Sequence, residues 1–316
     1  MSDRILASLL CPELDEMIVS GQYAGVRLGI SGWDNRIGGL RPGEVTVVTG
    51  HSGSGKTTFA INFAKWCLMR GLGVDYYHFE NTDEFMMCKM LEVCMNIHIY
   101  DFETKQLMID PKTLREKFFA FKSDPYYEKL SFINKKSQQE RKALSPTGYY
   151  DLEKLGELII EAKSEGSPVV IVDHLHYFVN TTDDSQLQAL DRAVRFMTEI
   201  VKEQNIHLLL IVHPSKPQMD ARGKPVDLGL YSTKGSSSIP QESSNYIVMK
   251  RLTMFKDLDG RFPKEGRNIM IADIKKNRAF GDNGYFLLDV QPNRATYLDA
   301  EPWLYEEYIE FKKRGK

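Results

Sequence analysis

The chain has 316 residues, with 41 Lys and Arg residues against 43 Asp and Glu residues, a formal net charge of -2. Hydrophobic residues make up 42% of the chain and charged residues 27%, which indicates a folded protein with a sizeable core and excludes an intrinsically disordered segment. The four cysteines are too few for a disulfide scaffold, and the balanced charge excludes a general nucleic-acid coat protein. No run of about 18 apolar residues is present, so we expect no membrane-spanning segment.

The N-terminal residues form a segment of their own. Residues 1–23 contain scattered apolar positions interrupted by Pro12, which predicts an arm of one or two short helical pieces. We expect residues 24–316 to form a single domain, because α/β domains often reach this length.

Strand-like and helix-like stretches alternate along the central part of the chain. Short apolar runs predict strands, and longer stretches with apolar residues at helical spacing predict the helices between them. Residues 214–244 interrupt this alternation with a long polar segment rich in Pro, Gly, Ser and Lys, which is typical of a functional loop. The expected strands are EVTVVT, VDYYHFE, residues 130–133, VVIVD and HLLLIVH, and the expected helices cover residues 54–70, 82–95, 111–122, 151–166 and 186–204.

The order of these elements indicates the fold class. Beyond the polar segment the chain is β-rich and ends in a helix, so we predict an α/β fold with a mainly parallel sheet, helices on both faces and an antiparallel β-rich C-terminal edge.

Charge is distributed unevenly along the chain. Residues 212–280 hold 13 Lys and Arg against 7 Asp and Glu, whereas the remainder holds 28 against 36.

The strongest motif is GHSGSGKT at residues 50–57, which matches the P-loop pattern G-x-x-x-x-G-K-[ST] between a predicted strand and a predicted helix. In such a loop, glycines let backbone N–H groups surround phosphate oxygens, and the helix points its positive end at the anion. The lysine reaches the β- and γ-phosphates, which identifies ATP or another nucleoside triphosphate as the ligand. A chance Gly/Ser-rich loop is the alternative. The residues assigned to nucleotide binding are Gly50, His51, Ser52, Gly53, Ser54, Gly55, Lys56, Thr57 and Thr58.

Asp173 ends the apolar run VVIVD, where a carboxylate at the tip of a parallel strand faces the ligand crevice. With the Thr57 hydroxyl it is the expected ligand of Mg²⁺ beside the nucleotide, so it joins the nucleotide-binding set. A helix cap or a loop acid is the alternative.

Polar residues also end two neighbouring predicted strands. Glu80 ends VDYYHFE and is a candidate general base for the attacking water, or else a capping or solvated residue. His213 ends HLLLIVH and is a candidate sensor of the γ-phosphate, or else a core or loop histidine. His174 and His176 beside Asp173 do not match a recognised metal spacing, and we interpret them as structural or as crevice lining.

Lys276 and Arg278 follow the apolar stretch NIMIADI, one residue apart. If the strand continues, both cations point the same way, and Arg278 is a candidate arginine finger that neutralises transition-state charge on a phosphate. A solvated charge cluster is the alternative.

With these residues in place, the chain resembles the superfamily 4 replicative helicases, the RecA-like hexameric family of DnaB, Twinkle and the phage primase-helicases. The resemblance covers most of the chain, from about Gly29 to Asp299. It rests on five segments in the family's order, of which only the P-loop is specific by itself. These segments are GWDNRIGGLRPGEVTVVTGHSGSGKTTF, VVIVDHLHYF, LLLIVHPSKP, KGSSSIPQESSNYIVMKR and IKKNRAFGDNGYFLLDV.

The resemblance implies an ATP-dependent ring-forming DNA helicase motor that moves along single-stranded DNA. It assigns catalysis to Lys56, Glu80 and His213, and to Lys276 and Arg278 acting in the neighbouring subunit's site. It implies a hexamer, an N-terminal arm that docks on the neighbour, primase or polymerase as partners, and a cytoplasmic location, including the host cytoplasm if the chain is phage-encoded. The channel-loop residues it assigns to DNA are Lys216, Arg222, Lys224, Lys234, Gly235 and Ser236.

Two other classes share the P-loop. A non-motor RecA-like ATPase, such as a recombination or assembly protein, would share the ring as well, but the fourth-motif phrase and the K-x-R placement argue against it. A small-molecule kinase would need a lid and an acceptor pocket, and the long channel-like loop fits it poorly. No primase module or sizeable collar precedes the motor, so we expect a motor domain alone or a fragment of a longer protein.

Overall fold

The computed structural model describes Val19 and residues 24–101, 106–133, 152–175, 186–214, 227–232, 238–254, 267–281, 283–291 and 295–314. The predicted arm over residues 1–23 therefore lies outside the described residues, apart from Val19. Within these ranges no helix is both long and apolar enough to cross a membrane.

The described residues form alternating strands and helices. The strands are β1 (Val45–Thr49), β2 (Val74–His78), β3 (Tyr100–Asp101), β4 (Gln106–Leu107), β5 (Leu130–Ile133), β6 (Val169–Asp173), β7 (His207–Ile211), β8 (Asn245–Met254), β9 (Arg267–Asn277), β10 (Tyr285–Val290) and β11 (Tyr297–Asp299). The helices are α1 (Ser31–Arg36), α2 (Lys56–Leu68), α3 (Asp83–Met95), α4 (Pro111–Lys122), α5 (Leu152–Ser164), α6 (Gln186–Gln204), α7 (Ser238–Glu242) and α8 (Pro302–Arg314), with a 3-10 turn at Tyr127–Lys129.

Nine strands form one sheet in the order β11-β10-β9-β8-β1-β7-β6-β2-β5, and β3 pairs with β4 in a separate hairpin. The strands from β8 to β5 in this order are parallel, whereas β9, β10 and β11 each run antiparallel to the strand before them. The predicted parallel sheet with an antiparallel C-terminal edge is therefore confirmed.

Each central strand contributes side chains to two cores, one on each face of the sheet, because successive residues of a strand point to opposite sides. On β6, Val169 and Ile171 join the core beneath α2 and α3, whereas Val170 and Val172 join the core beneath α5 and α6. Burial on both faces accounts for the continuous apolar runs that mark these strands in the sequence.

The predicted strands agree with the structure except at their ends. Strand β2 ends at His78 and β7 at Ile211, so Glu80 and His213 each follow their strand by two residues. Strand β9 ends at Asn277, so Arg278 lies in the turn after it. Pairing with the neighbouring strands sets these limits, and an apolar pattern alone does not show where pairing ends.

Three short elements were not predicted: α1, the β3–β4 hairpin and α7. The position of α1 depends on distant contacts. Trp33 is fully buried against Phe63, with ring centroids 5.1 Å apart, and the Asp34 carboxylate accepts hydrogen bonds from the amides of Leu28 and Gly29, each at 2.8 Å. A six-residue helix held by such contacts carries too little periodicity to be recognised.

The buried Asn62 side chain connects α2 to the chain entering β11. Its Nδ2 donates to the carbonyls of Thr58 (2.8 Å) and Ala295 (2.7 Å), and its Oδ1 accepts from the amide of Tyr297 at 2.8 Å. Since α2 follows the P-loop, this side chain also helps to fix the loop's position.

We predict that Asn62→Leu lowers the free energy of unfolding by about 2–4 kcal/mol, because the carbonyl of Ala295 and the amide of Tyr297 lose buried hydrogen bonds. Urea denaturation measures this change. Met69→Ala is the control, since Met69 is 54% exposed just beyond α2 and its truncation is expected to cost no more than about 0.5 kcal/mol. Equal stability of Asn62→Leu and the wild type would contradict the prediction.

Candidate active site

The P-loop connects β1 to α2. Gly55 precedes α2 with φ 85°, a conformation that glycine adopts without strain. A Cβ atom at Gly50 would lie 2.6 Å from the carbonyl oxygen of Met249 in β8, so this glycine permits close approach of the two chain segments. The backbone geometry therefore accounts for Gly50 and Gly55, and the loop directs the N-terminus of a 13-residue helix at any bound anion.

Lys56 lies inside the loop. Its Nζ donates to the carbonyls of Gly50 at 2.8 Å and His51 at 3.1 Å. Burial lowers the pKa of Lys56, and the charges of Asp173 and Glu80 oppose that shift. Ser52 and Gly53 at the tip are exposed, Ser54 is buried, and Thr57 and Thr58 are partly buried in the first turn of α2.

Asp173, the last residue of β6, is buried beside the P-loop. Its carboxylate accepts hydrogen bonds from the Thr57 hydroxyl and from the Tyr76 hydroxyl, the latter at 3.2 Å. Burial raises the pKa of Asp173 to about 6, although these two bonds and the Lys56 charge favour the ionised form. The oxygen atoms of Thr57 and Asp173 form the kind of donor set that Mg²⁺ prefers, so the residues present fit this ion.

Glu80, His174 and His213 form a cluster at the same edge of the sheet. Glu80 Oε1 lies 3.0 Å from His174 Nε2 and 3.8 Å from His213 Nε2. The two imidazole rings are in edge contact, with centroids 4.0 Å apart. The structure thus brings the predicted base and the predicted sensor together, with His174 touching both. His176 lies outside the described residues.

Lys276 and Arg278 both point at the C-terminal end of α7. Lys276 Nζ donates to the carbonyls of Pro240 (2.6 Å) and Gln241 (2.8 Å), and Arg278 Nη2 donates to the same Gln241 carbonyl at 2.7 Å. Burial, and secondarily the Arg278 charge, lower the pKa of Lys276 to about 8. Although Arg278 lies beyond the strand, the two cations do share a direction.

These cations lie near the N-terminal end of β1, whereas the P-loop follows its C-terminal end. The Arg278 amide donates to the Ser244 carbonyl, and the Ser244 amide donates to the carbonyl of Val45, the first residue of β1. The P-loop follows the last residue of the same strand, Thr49, and five strand residues span roughly 15 Å. Backbone contacts therefore hold Arg278 away from the chain's own phosphate-binding loop.

A cleft of about 310 Å³ lies beside the P-loop and is lined partly by Lys250 and Arg251 of β8. Lys250 Nζ forms ion pairs with Asp227 at 3.1 Å and with Asp273 at 3.4 Å. These residues were not predicted from the sequence to belong to the site. Their proximity depends on the pairing of β8 with β1, which only the tertiary structure provides.

Six residues are predicted from the sequence to contact DNA. Lys216, Arg222, Lys224, Lys234, Gly235 and Ser236 all lie outside the described residues. The segment that contains the last three of them leads directly into α7, on whose carbonyls Lys276 and Arg278 are held.

The site combines a phosphate-binding loop between a strand and a helix with an acid at the tip of a parallel strand of the same sheet. This combination defines a P-loop NTPase with a RecA-like sheet. The family model described as DnaB-like helicase C terminal domain matches residues 25–298, and the chain belongs to this family. Membership implies hydrolysis of a nucleoside triphosphate, and it confirms the resemblance identified from the motifs.

Individual relatives agree with this assignment. The chain is similar to the DNA helicase/primase of Enterobacteria phage T3, with 24% identity over 291 residues, which cover 89% of this chain and 47% of that protein. The chain therefore spans about half the length of this curated relative.

Two solved structures share the fold. One is described as an ATPase domain and matches with a TM-score of 0.72 at 15% identity, over 95% of this chain and 100% of that chain. The other is a DnaB-like replicative helicase, whose structure was described together with its interactions with primase. It matches with a TM-score of 0.69 at 15% identity, over 95% of this chain and 68% of that one.

We predict that the affinity for a non-hydrolysable ATP analogue at saturating Mg²⁺ depends on pH through Asp173. Its raised pKa of about 6 in the nucleotide-free protein means that a proton occupies the carboxylate as the pH falls through 6. The contribution of Mg²⁺ should be complete above pH 7 and should fall about tenfold per unit well below pH 6. Fluorescence titration of a labelled analogue measures it.

Asp173→Asn is the control for this titration. It should lack the carboxylate's part of the Mg²⁺ contribution at every pH, so its remaining pH dependence reports groups other than Asp173, including the analogue's own phosphates. A wild-type profile parallel to that of Asp173→Asn from pH 8 to pH 5 would contradict the prediction.

Proposed function

We propose that the chain is the ATP-driven motor of a ring-forming replicative DNA helicase, which moves along single-stranded DNA and unwinds duplex DNA. The observation that carries this proposal is the separation of the two halves of the hydrolysis site. Lys56, Asp173 and Glu80 lie at the carboxyl ends of the parallel strands, whereas Arg278 lies near their amino ends. Such a chain completes its site through a neighbouring subunit, as a ring motor requires.

Nucleotide binding rests on the P-loop. Backbone amides of the loop and the N-terminus of α2 would surround the phosphates, and Lys56 would exchange its carbonyl partners for the β- and γ-phosphates. Thr57 and Asp173 would hold Mg²⁺ through their oxygen atoms. When bound, that ion neutralises phosphate charge as it develops during transfer.

Glu80 would orient the attacking water and take its proton as the water oxygen bonds to the γ-phosphorus and the bond to the ADP oxygen breaks. The carboxylate is half-exposed at the carboxyl ends of the parallel strands, so it is accessible to a nucleotide on the P-loop. His213 would sense the γ-phosphate, since its ring lies beside Glu80 and its strand leads into the 214–244 segment.

Lys276 and Arg278 would enter the neighbouring subunit's site and stabilise negative charge on the transferring phosphate. Their contacts with the end of α7 support a link to DNA, because α7 follows directly on the segment that contains Lys234, Gly235 and Ser236. With Lys216, Arg222 and Lys224, these residues are the proposed contacts to the DNA backbone in the ring's channel.

Assembly remains part of the proposal. We infer a homo-hexameric ring in which the 1–23 arm docks on the neighbouring subunit and residues 24–316 form the motor domain. The T3 relative combines helicase and primase, and the second solved structure was described with its interactions with primase, which supports a primase partner for this chain. A cytoplasmic location follows from the same role.

We predict that subunits carrying Lys56→Ala and subunits carrying Arg278→Ala are each nearly inactive alone but recover activity when mixed. In a mixed ring, some interfaces combine an intact P-loop from the Arg278→Ala subunit with an intact Arg278 from the Lys56→Ala subunit. With random mixing at equal ratios, about a quarter of the interfaces should have both an intact P-loop and an intact Arg278. DNA-stimulated ATPase activity and strand displacement measure the recovery.

The matched control mixes Lys56→Ala with the Lys56→Ala/Arg278→Ala double variant, which cannot form an intact interface. Lys275→Ala, which removes a cation paired with Asp273 on the same strand, should retain activity by itself. Full activity of Arg278→Ala alone would reject the role in a neighbouring site. ATP turnover without strand displacement would indicate a non-motor RecA-like ATPase instead.

We predict that Lys224→Gln combined with Lys234→Gln weakens single-stranded DNA binding and makes it less dependent on salt. Each lost phosphate contact should reduce the slope of log K against log salt by about 0.7, so the pair should reduce it by about 1.4. Fluorescence anisotropy between low and moderate salt measures the slope. Lys117→Gln with Lys122→Gln, two exposed cations of α4, is the charge-matched control and should leave the slope unchanged.

A further inference from the structure

His174 lies in direct contact with the proposed base. The β2–β6 pairing sets His78 opposite Asp173, so the residues that follow these two strand ends meet. Glu80, two residues past His78, places its Oε1 3.0 Å from His174 Nε2. A ring nitrogen that carries a proton at this distance donates a hydrogen bond to the carboxylate.

Differences in exposure show which partner is fixed by its surroundings. The His174 side chain is 10% exposed and follows directly on the buried strand β6, whereas the Glu80 side chain is 48% exposed on the segment after β2. An exposed carboxylate on a connecting segment has several rotamers available, and a hydrogen bond from a buried ring selects among them. His174 is therefore the better-held member of the pair.

His174 also contacts His213. The centroids of the two rings are 4.0 Å apart, with their planes inclined by 70°. His213 Nε2 lies 3.8 Å from the same Glu80 oxygen, beyond ordinary hydrogen-bond distance. The carboxylate is thus held directly by His174, and His213 touches both members of the pair.

We propose that His174 is a positioning residue that fixes the Glu80 carboxylate for proton abstraction from the attacking water and couples its orientation to His213. This inference rests on the proposed role of Glu80 as general base. A movement of the His213 ring at the γ-phosphate would press on His174, and through it would reorient the carboxylate. The residue next to Asp173 thus connects phosphate sensing to water activation.

The test compares His174→Ala, His174→Gln and His174→Asn by steady-state ATP hydrolysis with Mg²⁺ and single-stranded DNA. The amide nitrogen of Gln reproduces the reach of Nε2, whereas the shorter Asn reproduces the position of Nδ1 and does not reach Glu80. We expect kcat to fall about 10- to 100-fold in the Ala and Asn variants with KM for ATP within about twofold, because a misplaced base affects turnover and not binding. The Gln variant should recover about fivefold or more over Asn.

A double variant tests whether His174 acts through Glu80. In the Glu80→Gln background, which should bind nucleotide but turn over about a hundredfold or more slowly, His174→Ala should change kcat by less than about twofold. If His174→Ala lowers kcat by the same factor in both backgrounds, or if Gln and Asn variants are equal, the positioning role is wrong. If Glu80→Gln keeps full turnover, the proposed base itself is wrong.

The same three side chains offer ligand atoms that all lie within 4.8 Å of one another, a set that could also hold a transition metal. A zinc-selective chelator at saturating Mg²⁺ separates this arrangement from the hydrogen-bonded one. Unchanged turnover supports the positioning role, and loss of turnover that added Zn²⁺ restores would overturn it.

Discussion

The parallel pairing of β1, β7, β6 and β2 is the constraint on which the rest of the site depends. Parallel strands end at the same edge of a sheet, so the segments that follow them meet there whatever their separation in sequence. In this order the four strands deliver the P-loop, His213, Asp173 and Glu80. A change in strand order would leave each motif intact and would disperse the site.

Burial at this edge determines the charge states that the site can use. Asp173 is held out of water beside Thr57 and Tyr76, and Lys56 lies among carbonyl groups of its own loop. Desolvation disfavours the charge on both side chains, raising the pKa of the acid and lowering that of the lysine. The phosphates of a bound nucleotide would face Lys56, and its cation would face Asp173. Ligand binding would therefore offset the desolvation of these two charged side chains.

The antiparallel edge has a different role from the parallel strands. Strand β9 returns beside β8 and brings Lys276 and Arg278 to the N-terminal end of β1, opposite the end from which the P-loop leaves. The same return places both cations on the carbonyls of α7, which lies near the end of the 214–244 segment. The near-neutral net charge of the chain thus conceals an uneven distribution. Residues 212–280, proposed to meet DNA and the neighbouring subunit, carry a positive net charge, and the remainder of the chain carries a negative one.

The sequence by itself determined the fold class, the P-loop motif and the position of Asp173 at the end of a buried strand, because glycine placement, strand burial on two faces and a terminal carboxylate are local patterns. It also identified Glu80 and His213 as polar residues beyond apolar runs, although it placed the strand ends up to two residues too late. Only the tertiary structure decided that His174 contacts Glu80, that Tyr76 reaches Asp173, and that Arg278 lies far from its own P-loop. These contacts arise from strand order and register. The His174–Glu80 and Tyr76–Asp173 contacts join residues 94 and 97 positions apart, and local patterns in the chain do not encode them.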